Sequence, residues 1–469
     1  MALLSLRATL TMAALVAAIS ILPATVLPAG AETIFVPAGE AKSLQNYLDL
    51  AQEGDVLHLG AGTHKGPVTI AVPITLEGEE GAAILGNGTG SVVRVTAPGT
   101  VVRGIRVSGS GTEIPTLDSG IFLDRSAKGA LVENNHVTGN LYGVYIYGAD
   151  NALVQNNRIV GLTEGRSAQA GNGVHLWNAP GAKVIGNDIS KGRDGINTNA
   201  SRNNVFANNR FSDLRFAVHY MYTNNSEVSG NLSTGNSVGY AIMFSDRLTI
   251  TNNISLGDRD HGLLLNTAKG SKISGNIVIG KMQPSSRWLM AGRMGGDSHG
   301  VPMGDGPALI DASGQRLGPE KCVFLYNANR NQFADNWFEN CVIGIHFTAG
   351  SEGNRVSGNS FLNNRNQVKY VGTRYLDWSV DERGNYWSDN PAFDLNGDGV
   401  ADSPYRPNDL VDRVLWTAPQ AKILINSPAV QVIRWAQSQF PAILPGGVVD
   451  GHPLMAPPPA QSQARSQLQ

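Results

Sequence analysis

The chain has 469 residues, of which 55 are glycine, 16% are charged and 7% are aromatic. So few charges argue against long salt-bridged helices and coiled coils and favour strands and turns. The 36 Lys and Arg residues nearly balance the 38 Asp and Glu residues without a basic run, which argues against nucleic acid as the partner. With two cysteines, Cys322 and Cys341, the chain can form neither a four-cysteine zinc site nor a disulfide scaffold.

Residues 1–31 predict a cleavable signal peptide. A single charge, Arg7, precedes the apolar stretch 10–22, and a small-x-small site ends at Ala31. We expect cleavage after Ala31 and a mature chain outside the cytoplasm. An uncleaved membrane anchor is the alternative, although the apolar stretch is marginal for a span of about 30 Å.

Residues 41–53 predict a helix at the start of the mature chain. Leu44, Tyr47, Leu48 and Ala51 recur at the spacing of an amphipathic helix. Because exposed strand edges at the end of a solenoid invite aggregation, we expect this helix to cap the first coil of the repeat that follows.

Residues 32–375 contain a repeat with a period near 22 residues. Each unit has a short phrase of alternating apolar residues, followed about fourteen residues later by an Asn. These asparagines are Asn135, Asn157, Asn187, Asn209, Asn231, Asn253, Asn276, Asn336 and Asn359. Asn tolerates the left-handed geometry of a tight turn, and its side chains can bond along a stack spaced about 4.8 Å. The repeat therefore predicts an all-β fold, a right-handed parallel β-helix of roughly a dozen coils, since propellers and sandwiches need longer repeats.

The spacing between these asparagines widens twice. The wider gap between Asn157 and Asn187 places a small excursion at 161–172, and the widest gap, between Asn276 and Asn336, places an insertion at 281–320. The insertion is rich in methionine and contains Met282, Met290, Met294, His299 and Met303. Thioether and imidazole ligands suit Cu(I), which makes these residues secondary copper candidates. The alternative is that methionine fills gaps under a surface loop.

Strand alternation places a column of polar and soft side chains outside the predicted β-helix. His219 and Met243 are predicted to lie on adjacent coils about 4.8 Å apart, with Met221 two residues along from His219. These three residues predict a Cu(I) site. His175, two coils and about 10 Å from His219, is a weaker candidate, as is His261. For each residue alone, an incidental surface position is the alternative.

Residues 376–410 include a predicted calcium loop. Oxygen ligands stand at the odd positions of a Ca²⁺-binding loop: Asp394, Asn396, Asp398, Val400 and Asp402. Tyr405 stands where an EF-hand has its bidentate Glu, so an ordinary EF-hand is not supported. We expect a structural Ca²⁺ site here, and an Asx-turn loop without metal is the alternative.

Residues 411–455 predict a C-terminal cap with a helix over 428–440, because a proline follows a serine at its start. The helix has a second apolar face, so it needs a second apolar partner. We predict that a protein or membrane component binds at Val430, Arg434, Trp435 and Phe440. A plain cap with an incidental tryptophan is the alternative.

Two further features concern the C-terminal half. Residues 456–469 are rich in Pro, Gln and Ser and predict a disordered tail. The separation of Cys322 and Cys341 along the chain is nearly one coil. Export permits a disulfide between them, and two small buried thiols are the alternative.

Many β-helix proteins cleave polysaccharides, and this activity needs paired carboxylates about 5–10 Å apart. The nearest feature is the segment 258–262, similar to the His-Gly element of polygalacturonases. Their Asn-Thr-Asp element corresponds here to 197–199, where the final residue is Asn199 and the carboxylate is missing. We therefore expect no enzymatic activity, and a polysaccharide-binding or polysaccharide-cleaving protein is the alternative.

Seven phrases of the chain resemble the NosD family of periplasmic proteins. They are VGYAIMFSDRLTITNN, DRDHGLLLN, KCVFLYNANRNQF, IGIHFTAGSEGN, QVKYVGTRYLDWS, GNYWSDNPAFDLNGDGVADSPYRPNDLVD and NSPAVQVIRWAQSQFP. The resemblance covers nearly all of the mature chain, most closely residues 217–455. It implies a role in the maturation of nitrous oxide reductase.

The same resemblance implies the partners. They are an ABC transporter formed by NosF and NosY, the copper chaperone lipoprotein NosL, and nitrous oxide reductase, whose copper-sulfide cluster the system helps to assemble. No metal ligand is transferred from the family, so the copper candidates depend on strand alternation alone. Copper transfer, sulfur transfer and a scaffold that only joins chaperone to reductase all remain open at this point.

Overall fold

A computed structural model describes residues 30–39, 43–162, 170–283, 316–348, 350–372, 374–407, 411, 424, 427–440 and 447–468. These residues form a parallel β-helix whose coils each contribute one strand to sheets A, B and C. Sheets A and B have thirteen strands each, and sheet C has twelve. Along the chain, each strand of sheet C except the last, Asn366–Val371, is followed by one of sheet A and then one of sheet B. The predicted all-β parallel β-helix is confirmed.

The strands of the three sheets have the following bounds. Sheet A contains Thr33–Val36, Val56–Leu59, Thr75–Gly78, Val101–Arg103, Leu131–Glu133, Leu153–Gln155, Lys183–Ile185, Val205–Ala207, Glu227–Ser229, Thr249–Thr251, Lys272–Ser274, Gln332–Ala334 and Arg355–Ser357. Sheet B contains Gly62–Lys65, Ala82–Leu85, Arg106–Ser108, His136–Asn140, Arg158–Gly161, Asp188–Ser190, Arg210–Ser212, Leu232–Thr234, Ile254–Leu256, Ile277–Ile279, Trp337–Glu339, Ser360–Leu362 and Tyr386–Trp387. Sheet C contains Val68–Ile70, Val93–Val95, Ser119–Leu123, Tyr142–Tyr147, Val174–Trp177, Asp194–Asn199, Phe216–Met221, Val238–Met243, His261–Asn266, Lys321–Tyr326, Ile343–Thr348 and Asn366–Val371.

The core is a set of apolar columns inside the coils. Val132, Val154, Val184 and Phe206 are paired in register along sheet A, and all four are fully buried. Because the side chains alternate along each strand, every coil adds its inward residues to the same columns. Each such side chain contributes about 1.5–3 kcal/mol by leaving water, so stability grows with the number of coils.

The predicted column of asparagines forms a hydrogen-bonded ladder. The backbone N–H and Nδ2 of Asn209 both donate to Oδ1 of Asn231, at 2.9 and 3.0 Å, and Nδ2 also donates to the carbonyl of Val184 at 2.9 Å. The same pair of donations joins each ladder residue to the next from Asn135 through Asn359, and then reaches Asn385. The ladder therefore fixes the register of the coils that it joins.

The left-handed turn residue is not the ladder residue but its predecessor. Asn208, Gly230 and Asn252 have φ values of 56°, 62° and 56° and precede Asn209, Asn231 and Asn253. The left-handed geometry and the stacking were predicted for the same asparagine. The structure divides these two tasks between adjacent residues, since a ladder side chain must point into the turn.

The N-terminal helix spans Leu44–Leu50, which is shorter than the predicted 41–53. Its start is a capping box: the Ser43 hydroxyl accepts from the N–H of Asn46 at 3.4 Å, and the Asn46 side chain accepts from the N–H of Ser43 at 3.2 Å. Leu44 and Leu48 are buried in the core. The predicted signal peptide falls on residues 1–31, of which 1–29 lie outside the described residues.

At the C-terminal end the asparagine ladder terminates on a carboxylate. Strand Gly447–Val449 pairs with Tyr375–Asp377 and brings Asp450 to the last ladder residue. Oδ2 of Asp450 accepts from the N–H of Asn385 at 2.7 Å and from Nε1 of Trp387 at 2.8 Å. Burial raises the pKa of the Asp450 carboxyl, and these donors only partly offset that rise.

The prediction that residues 456–469 are disordered is wrong. Helix Pro459–Ser466 packs on the outside of sheet B. Gln461 is buried and donates to the carbonyl of Gly358 at 2.7 Å, and Ser360 donates to its Oε1 at 2.7 Å. Arg465 pairs with Glu339. The composition of this segment indicated disorder because it is rich in polar residues. In the structure, polar side chains are the groups that attach the helix to sheet B.

Three further features complete the described fold. Helix Pro428–Gln439, capped by the Ser427 side chain, lies within one residue of the predicted bounds. Cys322 and Cys341 are joined by a disulfide. Strands Lys281–Gln283 and Arg316–Gly318 pair antiparallel at the base of the insertion. Among the described residues, no helix is long and apolar enough to cross a membrane.

Replacement of a ladder residue is predicted to be costly. Asn209→Ala leaves the N–H and Nδ2 of Asn187 without their shared acceptor. Nδ2 keeps the carbonyl of Val154 at 3.0 Å, whereas the buried N–H loses its acceptor. One such donor costs about 1–3 kcal/mol, so we expect the free energy of unfolding to fall by about 1–3 kcal/mol in urea titrations. The control is Asn208→Gly, an exposed neighbour whose φ of 56° suits glycine, with a change below about 1 kcal/mol. Equal losses in the two variants would contradict the ladder's role.

The raised pKa of Asp450 is expected to make the stability of the protein depend on pH. Its pKa is raised in the folded state, so the native protein holds this proton more tightly than the unfolded chain. Its stabilising contribution is therefore complete below the unfolded pKa, about 4, and is lost as pH rises through the folded pKa. In Asp450→Asn this titration is absent. We expect the unfolding free energy of wild type minus that of the variant to fall as pH rises above about 4, whereas a constant difference would refute the assignment.

Candidate functional site

The longest connections between sheets B and C all project from the same corner of the β-helix. Between strands of sheet B and the following strands of sheet C, three segments are much longer than the rest, at 109–118, 162–173 and 280–320. In solenoids, insertions of this kind gather on the binding face. The outer face of sheet C, which adjoins this corner, is therefore the candidate functional surface.

Much of this outer face is shielded from solvent. An apolar cluster on it comprises Phe216, Val238, Ala241, Met243, Leu264 and Phe324, with Met221 half-buried against it. Met243 has no exposed surface, and His219 is 1% exposed. A ligand held among these side chains would be largely dehydrated, which strengthens electrostatic interactions with it.

The structure corrects the predicted neighbours of His219. Met221 pairs in register with Met243, whereas His219 pairs with Ala241. The prediction aligned the similar phrases at Ala217 and Ala241, which lie further apart than the 22 residues that the asparagine ladder imposes at this point. The two thioethers thus lie side by side at the strand spacing of about 4.8 Å, and His219 is two residues before Met221 on the same outer face.

A buried polar network holds the His219 ring. Nδ1 of His219 lies 3.1 Å from Oδ2 of Asp194 and 2.9 Å from Nδ2 of Asn197. Arg215 donates to both oxygens of Asp194, through Nε at 2.8 Å and Nη2 at 2.7 Å. Burial alone would raise the pKa of Asp194, but the Arg215 charge and the His219 hydrogen bond hold it well below its usual range.

Sequence reasoning missed Asp194 and Arg215. A signal was available, because Asp194 occupies the register position at which the next two coils have Phe216 and Val238. A charged residue whose next two neighbours in the column are apolar indicates a specific partner. The partner, Arg215, comes one coil later and directly precedes the next strand of sheet C.

His175 lies two coils from His219, with Asn197 between them, as predicted. Its Nδ1 is 2.8 Å from Nδ2 of Asn172, and its ring stacks on Tyr145 with centroids 4.6 Å apart. Burial lowers the pKa of His175 to about 4, so the ring is neutral at ordinary pH. The structure therefore does not bring His175 to the methionine pair.

A second buried histidine pair lies further along sheet C. His261 and His346 both contact Phe324, with ring centroids 5.4 and 5.1 Å from it. Burial lowers the pKa of each histidine to about 3. His261 pairs with Val238 rather than with Met243, so this candidate also lies away from the methionine pair. His346 was not selected as a copper candidate from the sequence.

The remaining soft candidates belong to the insertion. Met282 is in the strand Lys281–Gln283 at its base. Met290, Met294, His299 and Met303 lie outside the described residues. Their assignment as copper ligands stays a prediction.

The predicted calcium loop uses its carboxylates for its own backbone. Asp394 accepts from the N–H groups of Gly397 and Gly399 at 2.6 and 2.8 Å, and Asp398 accepts from that of Val400 at 2.8 Å. Asp402 accepts from Leu395 at 2.7 Å in the same loop. These are Asx-turn bonds. Within the described part of the chain, no three His, Cys, Asp or Glu side chains form a group that could hold a metal, and the Ca²⁺ site, including Asn396, stays a prediction.

The acidic segment 258–262 has a structural role. Asp258 is fully buried and accepts from the hydroxyls of Ser233 and Ser255 at 2.7 and 2.6 Å and from the N–H of Asn236 at 2.7 Å. Asp260 pairs with its neighbour Arg259. These contacts place both carboxylates inside the fold and not in an open cleft.

The helix Pro428–Gln439 presents an apolar surface. Val432, Ile433, Trp435 and Phe440 are exposed, with Trp435 63% and Phe440 61% accessible. Val430 and Arg434 are half-buried. Of the four predicted partner-binding residues, Trp435 and Phe440 thus lie where a partner could reach them.

The fold and this face define a class of protein, a parallel β-helix with histidine and methionine side chains on a shielded outer face. The family described as "Periplasmic copper-binding protein (NosD)" matches residues 161–392. The "Probable ABC transporter binding protein NosD" of Stutzerimonas stutzeri is 39% identical over 400 residues, 85% of this chain and 86% of that protein. The protein of the same name in Pseudomonas aeruginosa is 40% identical over 415 residues, which are 88% of this chain and 91% of that protein. The chain belongs to the NosD family.

Solved structures share the fold at low identity. The complex of XylC with xylose aligns with a TM-score of 0.50 and 10% identity, covering 72% of this chain and 85% of that one. The A-module of the mannuronan C-5 epimerase AlgE6 from Azotobacter vinelandii aligns with a TM-score of 0.48 and 13% identity, covering 68% and 87%. At 10% identity, the likeness to XylC indicates the fold alone. The two sequence relatives are named as transporter binding proteins, not as enzymes.

Proposed function

We propose that this chain is a periplasmic copper-handling protein that works beside an ABC transporter in the maturation of nitrous oxide reductase. Membership of the NosD family supports the setting. The observation that carries the proposal is the pairing of Met221 with Met243 beside His219 on a shielded face. Copper is the cargo, held for transfer to a partner.

The donor set fits Cu(I). Thioether and imidazole groups are the ligands that this soft ion prefers, and Met221, Met243 and His219 supply them from two adjacent strands. Asp194 and Arg215 fix the imidazole, as outer partners of metal-binding histidines do. The surrounding apolar cluster excludes water.

The proposed docking element is the C-terminal helix. Trp435 and Phe440 would meet the transporter's membrane component, with Val430 and Arg434 at the edge of the contact. Large exposed aromatic side chains are the residues that most often dominate protein interfaces. In this proposal NosY and NosF form the transporter, NosL is the copper donor and nitrous oxide reductase is the recipient, as the resemblance to the family implies. The protein would then lie at the periplasmic side of the inner membrane.

The copper site predicts a titration result. In competition with a Cu(I) chelator, the signal-free protein is expected to bind Cu(I), and the combined His219→Ala, Met221→Ala, Met243→Ala variant to bind at least 100-fold more weakly, because all three donors are lost. Met455→Ala, which removes a methionine that is 38% exposed at the C-terminal end, is the control and should bind as wild type does. Undiminished binding in the combined variant would place the copper elsewhere.

A second variant tests the insertion separately. Replacing residues 284–315 by Asn-Gly keeps the antiparallel strands at its base and supplies a turn that suits them. Loss of copper in this variant alone would assign the site to the insertion. If wild type itself binds no copper, the scaffold and sulfur-transfer hypotheses replace copper handling.

The docking helix predicts a second result. Trp435→Ser with Phe440→Ser is expected to weaken binding to the transporter in nanodiscs at least tenfold, since both side chains lose their apolar contact area. Leu50→Ser, at the opposite end of the β-helix and equally exposed, is the control and should leave binding unchanged. Binding that falls in the control as well, or in neither variant, would locate the transporter contact elsewhere.

A further inference from the structure

The tautomer of the buried His219 ring can be derived from its neighbours. Nδ1 faces two groups, the carboxylate of Asp194 at 3.1 Å and the amide nitrogen of Asn197 at 2.9 Å. If Nδ1 carries the proton, it donates to Asp194. If Nδ1 is unprotonated, it accepts from Asn197 and turns its lone pair towards the carboxylate as well.

Electrostatics decides between these arrangements. Asp194 is fully buried and ionised, since Arg215 donates to both of its oxygens. In a buried site, where water does not screen charges, a carboxylate oxygen strongly repels a nitrogen lone pair 3.1 Å away. An N–H in the same place forms a charge-assisted hydrogen bond with that oxygen. The Asn197 amide keeps a partner, because it lies 3.1 Å from Oδ2 of Asp194.

We propose that Asp194 is a positioning residue that fixes His219 in the neutral tautomer with the proton on Nδ1, leaving Nε2 as the nitrogen with a lone pair for Cu(I). Arg215 acts through Asp194 by fixing the carboxylate. The ring geometry does not depend on the proposed copper function, whereas the link between this tautomer and copper rests on that proposed function. An imidazole binds a metal through the nitrogen opposite its anchored N–H.

His175 provides an internal contrast. The nearest partner of its Nδ1 is the amide nitrogen of Asn172 at 2.8 Å, which donates to an unprotonated Nδ1. The proton of His175 is then on Nε2. Two imidazoles two coils apart, His219 buried and His175 half-buried, thus hold opposite tautomers, because one is anchored by a carboxylate and the other by an amide. Of these two rings, His219 is the one that presents an unprotonated Nε2.

The test is a long-range ¹H–¹⁵N correlation spectrum of the copper-free, signal-free protein with ¹⁵N-labelled histidine, in which His219→Ala and His175→Ala identify the two rings. We expect His219 with a protonated Nδ1 and His175 with a protonated Nε2. The wild-type spectrum alone overturns the proposal if the proton of His219 is on Nε2, whatever the variants do.

A paired variant tests the cause. Asp194→Leu with Arg215→Met replaces a buried ion pair by apolar side chains, which proteins often tolerate. Asn197 then becomes the remaining partner of Nδ1, so we expect the proton of His219 to move to Nε2. The matched control is Asp124→Leu with Arg94→Met, an ion pair at 2.9 Å associated with sheet C, which should leave the His219 tautomer unchanged. If the proton of His219 stays on Nδ1 in the variant that lacks Asp194 and Arg215, the positioning role is refuted.

Copper binding separates the two proposals. We expect the first variant to bind Cu(I) about 10–100-fold more weakly, the usual effect of losing an outer partner of a ligand, and the control pair to bind as wild type does. If the tautomers are as proposed but His219→Ala leaves Cu(I) affinity unchanged, the copper assignment of His219 fails while the structural role of Asp194 stands. If His219→Ala weakens binding and the first variant does not, positioning by Asp194 fails while the copper site stands.

Discussion

The hydrogen bonds between stacked asparagines are the interaction on which the rest of the structure depends. Each ladder residue donates twice to the next, so neighbouring coils cannot slip without breaking two bonds in a dry turn. This constraint sets a spacing of 22 residues between Asn209, Asn231 and Asn253. It thereby determines which outer side chains of sheet C become neighbours, and Met221 meets Met243 for this reason.

The outer face of sheet C departs from the rule that β-helix exteriors are polar. Its apolar cluster surrounds one strongly polar group, the Asp194–Arg215 pair with His219. A buried ion pair is weak evidence for stability, because desolvation offsets much of its attraction. The pair is better understood through what it does to His219, whose ring it anchors at one nitrogen. The polar group and the two thioethers thus form one unit, with an anchored imidazole at one edge and soft donors at the other.

The sequence predicted the fold well because the fold is periodic. One asparagine per coil and alternating apolar residues suffice to specify a parallel β-helix, and both can be counted along the chain. The neighbours of His219 on sheet C were predicted less well, since they depend on details that periodicity does not carry. The phrases at Ala217 and Ala241 look alike but are out of register, and Asp194 acquires its meaning from Arg215 one coil away. The tail was mispredicted because its few specific polar contacts, such as Gln461 with Ser360, are invisible to composition.

The two coils that hold the methionine pair are unusual in another respect. After Met221 and Met243 the chain turns through Tyr222 and Phe244, which have φ values of 50° and 49°. The left-handed conformation costs a residue with a side chain about 1–2 kcal/mol, and bulky residues adopt it rarely. Both rings are exposed and stack on each other with centroids 5.1 Å apart, which offsets part of this cost. Two thioether side chains, a buried ion pair and strained aromatic turns therefore coincide within a few coils of an otherwise regular solenoid. A site built on a repetitive scaffold requires such a coincidence, since only departures from the repeat can distinguish one coil from the next.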